Sequence, residues 1–301
     1  MKTEIIREYA TENNIEIGTP VPIIRRSDPL DTAAGAHIPA QGDIELFVDR
    51  QNRIVYKVGT EDRLPKYRQD HRALIVAHKA GIGVPKPIAE PAMLGSYLVY
   101  ASEYIEHDPY DSPVPEATGE TLAALHEIQV DSFEPAISKL ARLADFVLIQ
   151  CQISEQTRES IEERCSPCIE VVTQDMKNNN TFIHGDVHLG NVLPTVPQPT
   201  LIDFEDSGKG SPLWDLAVLI QSANRFGLDP LWVETCLQSW QQASQKELPR
   251  ETLAAHVDWR YWYGALSMIK RTQQEENLIP ELQTRLKWVH NPTDQSKWTR
   301  C

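Results

Sequence analysis

Two apolar runs rich in strand-forming residues, 44–49 (IELFVD) and 53–59 (RIVYKVG), are separated by the polar Arg50-Gln51-Asn52. Two short β-rich runs joined by a few polar residues predict a β-hairpin. Ahead of it, 3–14 reads as a short helix. After it, 65–80 (PKYRQDHRALIVAHKA) predicts a longer helix, with Pro65 at its start and Gly81 just past its end. An extended segment, GVPKPIA, and a second apolar run, YLVYASEYI (97–105), follow. The first hundred residues thus read strand, strand, helix, strand, strand.

Beyond His107 the pattern changes. DPYDSPVP (108–115) is a loop rich in Pro and Asp. Helical periodicity then dominates at 116–129, 135–151, 154–177, 212–225, 230–244, 250–275 and 279–289, interrupted by a non-helical island at 181–211. The expected organisation is α+β: a small β-rich N-terminal lobe over 1–103, a linker near 102–106, and a larger, mainly helical lobe over 104–301 that carries the island. Loops held by a rigid scaffold are where chemistry concentrates, which directs attention to the island.

The chain has 301 residues, 41% of them hydrophobic, enough for two cores. No apolar run reaches the length of a membrane-spanning helix. The N-terminus, MKTEIIREYATENN, lacks the apolar core of a secretion signal, so a cytoplasmic protein is expected. Five cysteines are too few and too odd in number for a disulfide framework. Cys165 and Cys168 form a single C-x-x-C with no second pair to complete a zinc site, and they read as packing residues. The net charge is −14, against nucleic-acid binding. That charge is uneven. Residues 1–101 carry 13 basic and 13 acidic side chains, and the remainder 16 and 30. An acidic second lobe would attract a cationic small molecule, although solubility accounts for most of these charges.

The island opens TFIHGDVHLGNVL (181–193) and continues PTLIDFEDSGKGSPLWDLA (199–217). Two short apolar strands end at Asp186 and Asp203, with Asn191 between, and a tight loop would gather the three. An Asn amide and an Asp carboxylate are hard oxygen donors of the kind Mg²⁺ takes when phosphates complete its shell. A further carboxylate off the metal would accept a proton from a hydroxyl. That division of roles, with Asn191 and Asp203 on Mg²⁺ and Asp186 as base, is the apparatus of phosphoryl transfer.

These residues resemble the aminoglycoside phosphotransferase family, small-molecule kinases of protein-kinase-like, bilobal α+β fold. The pattern H-G-D-x-H-x-x-N is present as His184, Gly185, Asp186, His188 and Asn191. It is followed by Ile202-Asp203-Phe204-Glu205, Gly210, Pro212 and Asp215-Leu216-Ala217. An L-x-x-L-H helix ahead of the island matches Leu122 to His126. The resemblance implies an ATP (or GTP) co-substrate and Mg²⁺. It implies a hydroxylated, cationic small molecule as acceptor, such as an aminoglycoside, or a metabolic amine such as choline or homoserine. It places Lys57 on the α- and β-phosphates, with an acidic partner on the next helix. By spacing this is Asp70, with Glu61 and Asp62 as alternatives. YLVYASEYIE (97–106) matches the strand that grips adenine through its backbone, with the Ser102 carbonyl and the Tyr104 N–H as the expected groups. Asp215 and His184 are expected to position the catalytic loop.

One departure stands out. The phosphate loop G-x-G-x-x-G is absent, and the candidate stretch AAGAHIPAQGD (33–43) holds only Gly35 and Gly42. Two rivals are set against this reading. The metallophosphoesterase signature shares GDVH, but its D-x-H, G-D-x-x-x-R-G and G-N-H-E elements do not occur. An inactive kinase-like binding module would commonly lack one of Lys57, Asp186, Asn191 and Asp203. Aromatic residues on 258–270 (Trp259, Trp262, Tyr263) sit near Asp258 and suit an ammonium, yet their helical spacing reads as core.

Overall fold

The computed structural model describes residues 2–23, 44–108, 110–131, 133 and 138–299. Its elements run α1 (Lys2–Glu12), β1 (Val21–Ile23), β2 (Glu45–Asp49), β3 (Ile54–Gly59), α2 (Leu64–Lys79), β4 (Pro87–Leu94), β5 (Tyr97–Glu103) and α3 (Pro115–Leu125). Then come α4 (Ser138–Gln150), α5 (Glu155–Ser160), α6 (Ser166–Asn178), β6 (Thr181–Ile183), β7 (Val192–Leu193), β8 (Thr200–Leu201) and β9 (Gly208–Gly210). Four helices complete the chain: α7 (Pro212–Phe226), α8 (Pro230–Ser244), α9 (Arg250–Thr272) and α10 (Ile279–His290).

Backbone proximity divides the chain into two compact units: Met1–Val114 with Leu189–Ser207, and Pro115–His188 with Gly208–Cys301. The division does not follow chain order. Residues 189–207, expected with the helical lobe, group with the first unit. The Leu201 N–H donates to the Gly83 carbonyl at 2.8 Å, and the Phe204 N–H donates to Asp70 Oδ1 at 2.8 Å.

In the first unit the sheet order is β1-β2-β3-β5-β4, antiparallel at every pairing. The expected hairpin is β2–β3, with Phe47 opposite Tyr56. Edge strand β1 carries no strand signal in the sequence, with Pro22 inside it and Pro20 just before it. Pairing on one side only leaves Pro22 tolerable there. Alternation along β3 sends Tyr56 and Val58 to a core shared with Ile6, Tyr9, Phe47, Val99 and Ala101, against α1. Lys57 therefore faces the other way, where its Nζ lies 5.8 Å from the Tyr67 ring centroid of α2.

The second unit is helical around a core that includes Val147, Val172, Met176, Trp259, Trp262, Leu266 and Trp288. Trp259 and Trp262 are buried there, so they pack rather than present faces to a ligand. The helix expected across 154–177 is interrupted by a wide turn of π type at Ile161–Cys165. Pro167 has no N–H to donate back to residue 163, and the wide turn absorbs the lost bond. Cys165 is buried, and Cys168 Sγ donates to the Ala255 carbonyl at 3.0 Å. Burial pushes the Cys168 thiol up to about 12 and raises Cys165 as well, so neither is reactive. No helix among the described residues is long and apolar enough to cross a membrane.

Candidate active site

Lys57 is the hub of the first unit's polar cluster. Its ammonium lies 3.2 Å from Asp70 Oδ2, 2.9 Å from Asp203 Oδ1 and 3.3 Å from Glu205 Oε1. Burial alone would lower the lysine's pKa, but Asp203, Asp70 and Glu205 outweigh it and hold the pKa well above the usual lysine value. Of the acids weighed for Lys57, the structure pairs it with Asp70. Both Glu61 and Asp62 are exposed. The second oxygen of Asp70 accepts the Phe204 N–H, so one carboxylate ties the β3 lysine to the segment that follows Asp203. Glu205 is the member that sequence reasoning left undecided. It is buried, and that burial raises its pKa despite Lys57. Arg63 and Lys66 approach its other oxygen at 3.8 and 4.0 Å.

The β7–β8 ladder continues to Asn191 and Ile202, the residue before Asp203. Val192 pairs with Leu201, and the Ile202 N–H donates to the Asn191 carbonyl at 3.0 Å. Asp203 itself adopts a left-handed backbone, φ 69°, unusual outside glycine and found where a side chain must be aimed. Among the three carboxylates on Lys57, its side chain is the most accessible, at 23% against 3% and 11%.

The second unit holds the His184-Gly185-Asp186 loop. Gly185 has φ 92°, a conformation that disfavours any side chain. Asp215 sits in the first turn of α7, which is capped by Ser211 and begun by Pro212. Its buried carboxylate accepts the N–H groups of His184 and Gly185, each at 2.8 Å. It also binds His126 Nε2 at 3.0 Å. His126 Nδ1 accepts from Trp240 Nε1 at 2.9 Å, so the His126 proton resides on Nε2. The loop is clamped from its other side by Trp214, whose Nε1 donates to the Gly185 carbonyl at 2.8 Å. Asp186 is left 38% accessible, with Arg260 Nη2 at 2.9 Å from Oδ1 and His188 Nε2 at 3.8 Å from Oδ2. Arg260 went unnoticed in the sequence. A lone arginine inside an aromatic helical stripe carries no motif.

The expectation that the Tyr104 N–H faces adenine meets a contrary contact. The Tyr104 N–H donates to the Arg53 carbonyl at 2.7 Å, which commits it to the sheet. Ser102 lies in a central strand between Val55 and Pro87. Backbone groups of an extended strand alternate in direction. The Glu103 N–H donates to the Lys86 carbonyl at 2.8 Å, so the Glu103 backbone points away from β3. The stretch 33–43, considered for a phosphate loop, lies outside the described residues.

A small antiparallel sheet carrying a half-buried lysine, together with a helical unit carrying an Asp-anchored H-G-D loop, is the architecture of a kinase-like α+β fold. Solved structures agree. An amicoumacin kinase, hAmiN, in complex with AMP-PNP, Ca²⁺ and Ami is similar with a TM-score of 0.65 at 14% identity, over 87% of this chain and 89% of that one. The GDP and kanamycin complex of APH(2")-IIia gives 0.66 at 12% identity, over 97% and 99%. An aminoglycoside phosphotransferase from Streptomyces rimosus, in complex with ADP and streptomycin, gives 0.57 at 17% identity, over 76% and 95%. No curated protein matches significantly in sequence. Residues 46–253 match the model of a phosphotransferase enzyme family. The chain belongs to that family, and it is a phosphotransferase.

Proposed function

We propose that the protein is a small-molecule kinase that moves the γ-phosphoryl group of ATP to a hydroxyl of a cationic acceptor. The observation that carries the reading is the Lys57 cluster: a β-strand lysine kept charged by Asp70 and Asp203, with Asn191 bonded to Ile202, the residue before Asp203. An amide and an accessible carboxylate, both hard oxygen donors, fit Mg²⁺, which would neutralise the nucleotide phosphates. Lys57 binds the α- and β-phosphates, and Asp70 keeps its ammonium in place. The backbone at the C-terminal end of β5 reads the adenine edge. Asp186 orients the acceptor hydroxyl. As the acceptor oxygen bonds to the γ-phosphorus, the bond from that phosphorus to the bridging oxygen breaks. The nucleoside diphosphate leaves with the electron pair, and the hydroxyl proton passes to Asp186. The acidic excess of the second part of the chain favours an amine-bearing acceptor. Similar structures named as aminoglycoside phosphotransferases support the same class.

Nucleotide consumption with Mg²⁺ tests this directly. ATP and GTP would each be offered with kanamycin, streptomycin, spectinomycin, choline and homoserine. Stimulation by one amine class with ATP is expected, and Asp186→Ala should lose about 10²- to 10⁴-fold of turnover while still binding nucleotide. Silence with every acceptor beside intact nucleotide binding would favour a kinase-like binding module. Full turnover in Asp186→Ala would remove that residue from its role.

A further inference from the structure

We propose that Arg260 is a positioning residue for phosphoryl transfer, holding the Asp186 carboxylate in fixed orientation. This rests on Asp186 having the role given above. Arg260 lies on α9, only 6% exposed, with its guanidinium 5.2 Å from the Trp214 ring centroid and 5.3 Å from that of Tyr263. Between those rings a planar cation has little freedom to rotate. Nη2 meets Asp186 Oδ1 at 2.9 Å. Asp186 follows a left-handed glycine and keeps 38% of its side chain accessible, so the loop backbone does not by itself fix where the carboxylate points.

The grip extends to the preceding residue. His256, one turn before Arg260 on α9, packs edge-on against Trp214 with centroids 6.2 Å apart. Its own Nε2 is anchored to Asp175 Oδ2 at 2.9 Å. Trp214, flanked by both α9 side chains, carries the hydrogen bond to the Gly185 carbonyl. One face of α9 thus sets two consecutive loop residues, Gly185 through Trp214 and Asp186 directly.

Stability alone does not call for an arginine here. A buried ion pair is commonly no better than apolar side chains of similar volume. The chemical consequence is more specific. A guanidinium held in a fixed plane aims the neighbouring carboxylate in one direction. Such a carboxylate orients the hydroxyl and receives its proton late, as the phosphorus–oxygen bond forms, which matches a loose transition state.

Arg260→Met, Arg260→Ala, Arg260→Lys and Asp186→Asn test the assignment. Rates would be measured with MgATP and the acceptor class found in the screen, or with water where none stimulates. Arg260→Met should lower kcat about 10- to 100-fold, the cost of misplacing a reacting group by about an ångström, and leave the nucleotide KM within about twofold. Arg260→Lys should recover part of the rate, and millimolar N-ethylguanidinium should rescue Arg260→Ala. The apolar Met replacement is included because it keeps the site filled if the Ala variant fails to fold. Wild-type kcat in Arg260→Met, or a loss that neither Lys nor guanidinium restores and that raises the nucleotide KM in parallel, overturns the proposal. If Asp186→Asn is inactive while Arg260→Met is fully active, only the Arg260 role fails. An active Asp186→Asn removes the base, and Arg260's role with it.

Discussion

Asp70 does two jobs with two oxygens, one on the Lys57 ammonium and one on the Phe204 N–H. It is almost wholly buried, so removing it leaves a half-buried cation with one fewer counter-charge and an amide with no acceptor. Both effects are large in a low-dielectric surround. Asp70→Ala is therefore expected to cost about 3 kcal/mol of stability, read by urea unfolding. It should also weaken nucleotide binding about tenfold, read by titration with AMP-PNP and Mg²⁺, because a loss near 1.4 kcal/mol in placing Lys57 is one decade. A variant unchanged in both measurements would take Asp70 out of the site. The identity of this partner was within reach of spacing. The part played by Glu205 was not, since only packing decides whether a turn residue is exposed or drawn under a lysine.

Helices deliver the H-G-D loop its support. The hydrogen-bond path runs from Trp240 on α8, through His126 just past α3, to Asp215 on α7 and on to the loop amides. Close contact between α3 and α8 makes that path possible, and Gly119 permits the contact. A Cβ there would lie 2.3 Å from the Cys236 carbonyl oxygen and 2.9 Å from the Trp240 nitrogen, backbone atoms that cannot swing aside. Gly119→Ala should therefore destabilise by about 1–3 kcal/mol despite a better helix propensity, and slow turnover by displacing His126. A thermal midpoint equal to or above wild type would show that α8 moves without consequence. The sequence marks Asp215 and His126 by motif, but it gives no sign that Trp240, more than a hundred residues after His126, fixes the imidazole tautomer.

At the scale of the whole molecule, nucleotide binding should appear as stabilisation, because a ligand that binds only the folded chain adds RT ln(1 + [L]/Kd). AMP-PNP with Mg²⁺ at about a hundred times its Kd should add about 2.7 kcal/mol and raise the thermal midpoint by several degrees. Lys57→Met should abolish most of the shift. Equal shifts in both proteins would place the nucleotide away from Lys57. The two-unit division also changes how the island is understood. Its first residues, through His188, and its last, from Gly208, belong to the helical unit. The Asn191 and Asp203 stretch belongs with the β-rich unit.

Local pattern was enough for what is encoded locally. Strand-forming runs and caps place the β2–β3 hairpin, α2 and α7 within a residue or two, and the spaced H-G-D-x-H-x-x-N and I-D-F-E elements identify the phosphotransferase family, because each needs particular side chains at fixed separations. Tertiary packing decided the rest. It chose Asp70 for Lys57, buried Glu205, committed the Tyr104 amide to the sheet, interrupted α5 and α6 at Pro167, and brought Arg260 to Asp186 across a separation of 74 residues. Contacts between residues so far apart depend on which faces of which elements meet, and a one-dimensional pattern specifies the faces without specifying their partners.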